Sequence, residues 1–235
     1  MAGGQEGVVV VVGAGPGISQ AVARKFGREN FKVALLGRRE ASLAELCDKL
    51  KELGITAKGY VADAGDFAAL KQAMEQLTEE LGSPTVLVYN AAGGMTTMAL
   101  PKDLDPETLV QDFRVSSAGA LAAVQQVLPA FRKAGGGTIL LTGGILAIEP
   151  LWPIMCSLSA GKAAVRNLGF ALYKDLLEEN IHVATVTVCG RVEPGSGELD
   201  PDHIADIYWE LHTEKKEQWR REVYVPKDAG GHIKV

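Results

Sequence analysis

Five consecutive valines, Val8 to Val12, run straight into the turn Gly13-Ala14-Gly15-Pro16-Gly17, and an amphipathic segment begins at Ile18. An unbroken β-branched run suits a strand covered on both faces, because each alternate side chain must find apolar neighbours. Such a strand needs helices on either side of its sheet, which confines the chain to an α/β arrangement. The three glycines keep the turn free of side chains, so backbone N–H groups at the start of the following helix can meet a phosphate.

The rest of the chain repeats the alternation. Short apolar runs predict strands at Val8 to Val12, Lys32 to Leu36, Ala57 to Val61, Val86 to Tyr89, Thr138 to Leu141 and His182 to Val188. Between them, apolar residues recur at helical spacing, as in Leu43, Leu46, Leu50 and Leu53. That spacing predicts helices over Ile18 to Arg28, Ala41 to Leu53, Phe67 to Leu81, Pro106 to Lys133 and Ser159 to Glu179. The expected fold is therefore a doubly wound parallel sheet flanked by helices, one domain over residues 1–235. The Gly/Pro-rich stretch 193–201 reads as a loop, a shortened lid over a site. A helix over His203 to Glu217, with Asp200 as its cap and Pro201 in its first turn, and an edge strand at Glu222 to Val225 follow it. Lys227 to Val235 reads as a tail.

Composition removes several classes of function. With 24 Lys+Arg against 29 Asp+Glu, a net charge of −5, the chain has no basic excess to neutralise a nucleic acid. The longest aliphatic run falls far short of the ~20 residues a membrane-spanning helix needs, and no secretory pattern opens the sequence. The expected location is the cytoplasm. Cys47, Cys156 and Cys189 are far apart and lack CxxC spacing, and the four histidines show no paired-ligand pattern, so no metal is expected.

The glycine turn has the strand-before, helix-after context of a dinucleotide site, although the spacing GxGxxG would require glycine at Ile18. At the end of the second strand the sequence reads Leu36-Gly37-Arg38-Arg39, where an NAD-selective protein usually presents an acidic residue to the ribose hydroxyls. Two arginines suit a 2′-phosphate, which favours NADP(H) over NAD(H).

Taken together, these residues resemble the short-chain dehydrogenase/reductase family, from Gly7 to about Val192. Gly13-Ala14-Gly15-Pro16-Gly17-Ile18-Ser19 is similar to the family's TGxxxGIG turn, and Asp63 matches the acidic residue that reaches the adenine. Asn90-Ala91-Ala92-Gly93 matches the NNAG motif, and Lys162 stands where the YxxxK lysine stands. The resemblance implies a Rossmann-like fold and hydride transfer between a nicotinamide and a carbonyl or alcohol carbon. It implies cofactor contacts from Gly13, Gly15, Pro16, Gly17, Ile18, Arg38, Arg39, Asp63, Asn90, Ala91 and Lys162. It also implies a homodimer or homotetramer paired through the two long helices.

The catalytic positions depart from the family. Leu158 occupies the tyrosine position, Gly144 the serine position and Ser116 the helix-borne asparagine position. Leucine cannot exchange a proton, so the family's usual proton transfer cannot run. The nearby hydroxyls are Ser157, Ser159 and Thr142. Ser159, three residues before Lys162, shares its helix face and could position a water, while Tyr89 precedes Asn90 at the cofactor edge. Lys162, Ser159 and Ser116 are the catalytic candidates. Glu149, Pro150, Leu151, Trp152 and Met155 are expected to line the substrate side. Either a degenerate oxidoreductase or a non-catalytic NADP(H) sensor fits this pattern.

Overall fold

The computed structural model describes residues 7–229. Seven strands, β1 (Val8–Val12), β2 (Lys32–Gly37), β3 (Ala57–Val61), β4 (Val86–Tyr89), β5 (Gly137–Gly144), β6 (Ile181–Val188) and β7 (Glu222–Val225), form one sheet in the order β3-β2-β1-β4-β5-β6-β7. Every neighbouring pair is parallel. The chain steps outward from β1 to β3, then returns to the other side of β1 at β4. That reversal opens a crevice beyond the carboxyl ends of β1 and β4.

The valine run shows why the sheet needs two layers of helix. Val8, Val10 and Val12 pack with residues of α3 (Phe67–Leu81), α5 (Gly119–Ala134) and α6 (Cys156–Leu176), such as Leu70, Val124 and Val165. Val9 and Val11 face the other layer, formed by α1 (Ile18–Arg28), α2 (Glu40–Glu52) and α7 (Pro201–Thr213), through Phe26, Leu46 and Tyr208. Each buried valine contributes about 1.5–3 kcal/mol of transfer free energy, and the alternation distributes it between both layers.

Three predicted helices are redrawn. The single helix expected over Pro106 to Lys133 is α4 (Pro106–Phe113), a π-helical turn at Arg114–Ala118, and α5. The widened turn buries Ser116 and Ser117, and the Ser116 hydroxyl accepts a hydrogen bond from the Gly93 N–H at 2.9 Å. α6 begins at Cys156, ahead of Ser159, and ends in a 3-10 turn, Leu177–Glu179, closed by Asn180 at a φ of 58°. α7 starts as expected, with Asp200 accepting from the Asp202 N–H, but stops at Thr213, where the chain becomes extended at Glu214. A separate 3-10 turn follows at Lys216–Gln218. β2, β5 and β6 each extend beyond the predicted runs, and Gly144 is the last residue of β5. Of the expected tail, residues 230–235 lie outside the described residues.

α7 docks on α1 through a cluster of rings. His212 lies 5.5 Å from Phe26 and 5.4 Å from both Phe31 and Trp209, centroid to centroid, and its Nδ1 is 3.0 Å from the Thr138 hydroxyl. Burial lowers its pKa to about 4, with neighbouring His182 adding to the effect. An unfolded chain takes up a proton there near the ordinary 6.5, so between that pH and about 4 the unfolded state binds more protons and stability rises with pH. Acidification through this window is expected to lower the unfolding free energy by on the order of 2–3 kcal/mol. Urea denaturation as a function of pH checks this, with His212→Gln expected to flatten the dependence.

Candidate functional site

The crevice beyond the strand ends is a cavity of about 700 Å³. At one end lies the glycine turn. Gly13 has a φ of +85°, and a Cβ there would stand 2.4 Å from the Ala91 nitrogen, so only glycine lets the ends of β1 and β4 meet. The Asn90 N–H donates to the Val12 carbonyl at 2.8 Å, the Asn90 side-chain amide donates to Ser19 Oγ at 2.7 Å, and Ser19 donates to the Gly13 carbonyl at 3.0 Å. This chain of bonds fixes the turn against the loop after β4.

A Cβ built on Gly15 or Gly17 would meet nothing within 4 Å, so open space stands over the turn. Gly17 is the N-cap of α1, no side chain caps that helix, and its first turn carries no acidic residue. The unmet N–H groups and the open space above them fit an anionic pyrophosphate. Arg38 and Arg39 line the cavity beyond this point, both exposed, and among the described residues neither is engaged in an ion pair. Asp63 also lines the cavity. Its Oδ1 accepts from the Gly65 N–H at 2.8 Å, while the cap of α3 is Asp66.

Lys162, on α6, reaches the cavity from the other side. Its ammonium donates to the Thr142 carbonyl at 2.7 Å, and burial lowers its pKa to about 8. Leu158, one helical turn earlier and 5% exposed, lines the same wall together with Gly143 and Gly144 at the end of β5. Val188, Gly190, Arg191 and Val192 close the side beyond β6.

Gly13, Ile18, Arg38, Arg39, Asp63, Asn90, Ala91, Gly144, Leu158 and Lys162 line one cavity. Gly15, Pro16 and Gly17 complete the turn without belonging to the cavity wall. Three candidate hydroxyls stand elsewhere. Ser159 is buried and donates to the Leu146 carbonyl at 2.7 Å, because the next step around the helix turns it toward the segment after β5. Ser116 is held behind Gly93. Tyr89 is packed in the core with its hydroxyl donating to the Val115 carbonyl, and burial pushes its pKa up. Of the five residues expected to line the substrate side, Trp152 does so, with Ile145 and Leu146 from the same segment, whereas Glu149, Pro150, Leu151 and Met155 do not.

Asp112 lines the cavity too, and no motif marks it. Its Oδ2 accepts from the hydroxyls of Thr97 at 2.7 Å and Ser157 at 2.6 Å. The one available signal was its place one turn before Ser116, on the same helical face.

The profile of the family described as short chain dehydrogenase matches residues 7–197. The chain belongs to the short-chain dehydrogenase/reductase family. Among the family's oxidoreductases, a putative ketoacyl reductase of Streptomyces coelicolor is 31% identical over 219 residues, covering 88% of this chain and 78% of the relative. A metagenomic short-chain oxidoreductase solved in complex with NADP superposes with a TM-score of 0.83 at 23% identity, covering 93% of this chain and 96% of that one. L-Sorbose reductase from Gluconobacter frateurii, complexed with NADPH and L-sorbose, gives a TM-score of 0.84 at 21% identity, with 94% of each chain covered.

In this family member the wall holding Lys162 makes a measurable claim. Its side chain is expected to titrate near pH 8, against an ordinary lysine value of 10.5. NMR titration of side-chain-labelled lysines is expected to show one such signal, absent in Lys162→Gln; a full set of ordinary values would contradict the buried setting.

Proposed function

We propose that this chain binds NADP(H) in the cavity and is an oxidoreductase for a carbonyl or alcohol compound whose usual proton donor is replaced by Leu158. The observation that carries the reading is the combination of an intact glycine turn and Lys162 with a leucine, one helical turn before that lysine, in the same cavity wall. When bound, the nicotinamide supplies hydride transfer to or from a substrate carbon. Gly13 to Ile18 hold the pyrophosphate through backbone N–H groups, Arg38 and Arg39 take the 2′-phosphate, and Asp63 meets the adenine. Asn90, Ala91 and the Lys162 ammonium position the nicotinamide half. The solved neighbours that carry NADP and NADPH support this choice over NAD(H).

Leu158 cannot give or take a proton, and Gly144 has no hydroxyl to hold a carbonyl oxygen. The missing acid costs about 10²–10⁴ in rate. The second reading, a non-catalytic sensor of NADP(H), draws on the same observation and differs only in lacking turnover. A cytosolic setting is supported by three free cysteines, and assembly into a homodimer or homotetramer by apolar side chains exposed on α4 and α5, Val110, Phe113 and Leu121.

Isothermal titration with NADP⁺, NADPH, NAD⁺ and NADH tests the cofactor. NADPH is expected to bind with micromolar affinity, and Arg38→Asp to weaken NADPH by about tenfold or more while leaving NADH within a few-fold; binding of no dinucleotide would sink the reading. A second outcome concerns the donor. Leu158→Tyr is expected to raise NADPH-dependent reduction of a small-carbonyl panel by on the order of 10², read as loss of NADPH absorbance. No gain in the variant, together with no turnover in the parent, would favour the sensor.

A further inference from the structure

We propose that the substrate end of the cavity receives an organic cation, with the Asp112 carboxylate as its counter-charge; this rests on the reading that NADP(H) occupies the glycine-turn end. Asp112 Oδ2 is fixed by two hydroxyl donors, Thr97 at 2.7 Å and Ser157 at 2.6 Å. Among the described residues Oδ1 has no hydrogen-bond partner, and no Lys, Arg or His forms an ion pair with the group. Ser157 adjoins Leu158, so the carboxylate is anchored beside the residue that replaces the proton donor. The loop after β4 is wedged there as well. A Cβ on Gly93 would stand 2.2 Å from the Asp112 carbonyl oxygen, and one on Gly94 2.6 Å from the Leu158 nitrogen.

The neighbouring wall is apolar. Leu158, Met95 and Trp152 line the same cavity, Trp152 being 55% exposed and Met95 58%. An indole and a thioether lining the same cavity as a carboxylate are groups that take up a cation with an apolar body. At the carboxylate itself a neutral carbonyl compound gains little, because its oxygen is an acceptor and so is Asp112, whose two hydroxyl donors are already engaged. The donor in this cavity is the Lys162 ammonium on the α6 wall. A cation also removes the need for an acid at position 158. When an iminium gains a hydride at carbon, the new C–H bond forms and the C=N π pair becomes the nitrogen lone pair. The hydride comes from NADPH, which leaves as NADP⁺, and the product is a neutral amine with no proton moved.

The test compares N-methyl dihydroisoquinolinium, a permanently charged iminium, with tetralone, a neutral ketone of the same fused-ring size. Both are titrated calorimetrically into the full chain, with and without saturating NADPH. The cation is expected to bind at least about tenfold more tightly than the ketone. Asp112→Asn is expected to erase that advantage while leaving the affinities for tetralone and NADPH within about twofold. With NADPH present, the cation is expected to appear as N-methyl tetrahydroisoquinoline. Equal binding of the two probes to the unaltered chain would overturn the proposal without reliance on any variant, as would a cation affinity untouched by Asp112→Asn. Tight binding without the amine product would overturn the reductive step. Failure of NADPH to bind would instead fall on the cofactor reading, and the titration without dinucleotide still decides the cation.

Discussion

The contact between Gly13 and the Ala91 backbone governs the molecule, because it sets how closely the ends of β1 and β4 approach. Those strands are where the sheet reverses its order, and their ends are the floor of the crevice. With no Cβ at Gly13 the two chain segments touch, and the bonds from Asn90 to Val12, from Asn90 to Ser19 and from Ser19 to Gly13 close around the contact. The turn is thereby rigid without any side chain entering the space above it. An N–H-rich concavity held by these bonds suits an anionic ligand, because less ordering is left to meet on binding.

Polar groups near the crevice divide into those the fold has used and those it has not. The hydroxyls of Ser116, Ser159 and Tyr89 are each bound to a backbone group and buried. Thr142 offers its carbonyl to Lys162 and pairs its hydroxyl with Tyr208 at 2.6 Å. The charged side chains that line the cavity are Arg38, Arg39 and Asp63 on one side, Lys162 on the α6 wall, Arg191 beyond β6 and Asp112 near the start of α6. Both signs are therefore present, each at a fixed place, and a ligand is recognised by the group it meets locally rather than by one field along the cavity.

The sheet was legible because its signal is local. An unbroken run such as Val8 to Val12 has few alternatives, and its flanking glycine turn states where the strand stops. The break at Arg114–Ala118 was not legible, since apolar residues continue at helical spacing on both sides of it. The π turn follows instead from a tertiary demand, the fit of Ser116 against Gly93 and Gly161, which lie far away in sequence. The site divides in the same way. Residues carried by contiguous motifs, Gly13, Asn90 and Lys162, meet in the cavity as their order implies. Asp112 joins them only because Thr97 and Ser157, from two other segments, converge on it, and an acidic residue on a helix otherwise reads as a solvated face. Ser159 misled for the opposite reason: proximity to Lys162 in sequence suggested a shared face, but its hydroxyl lies toward Leu146.

The place of Leu158 is set by the architecture around it. Gly94, at a φ of +80°, lets the loop after β4 pass so close to the Leu158 backbone that a Cβ there would lie 2.6 Å from the Leu158 nitrogen. The start of α6 is held by that approach and by the Ser157 hydrogen bond to Asp112, so the helix cannot rotate to bring another face forward. Whatever residue stands at 158 therefore sits in the cavity wall, one turn from the Lys162 ammonium. A buried lysine whose pKa is lowered to about 8 by its surroundings has an apolar side chain one helical turn before it. Leu158 and the buried Lys162 therefore present an apolar side chain and an ammonium side by side on one wall of the cavity, a pairing fixed by the start of α6 and the loop after β4.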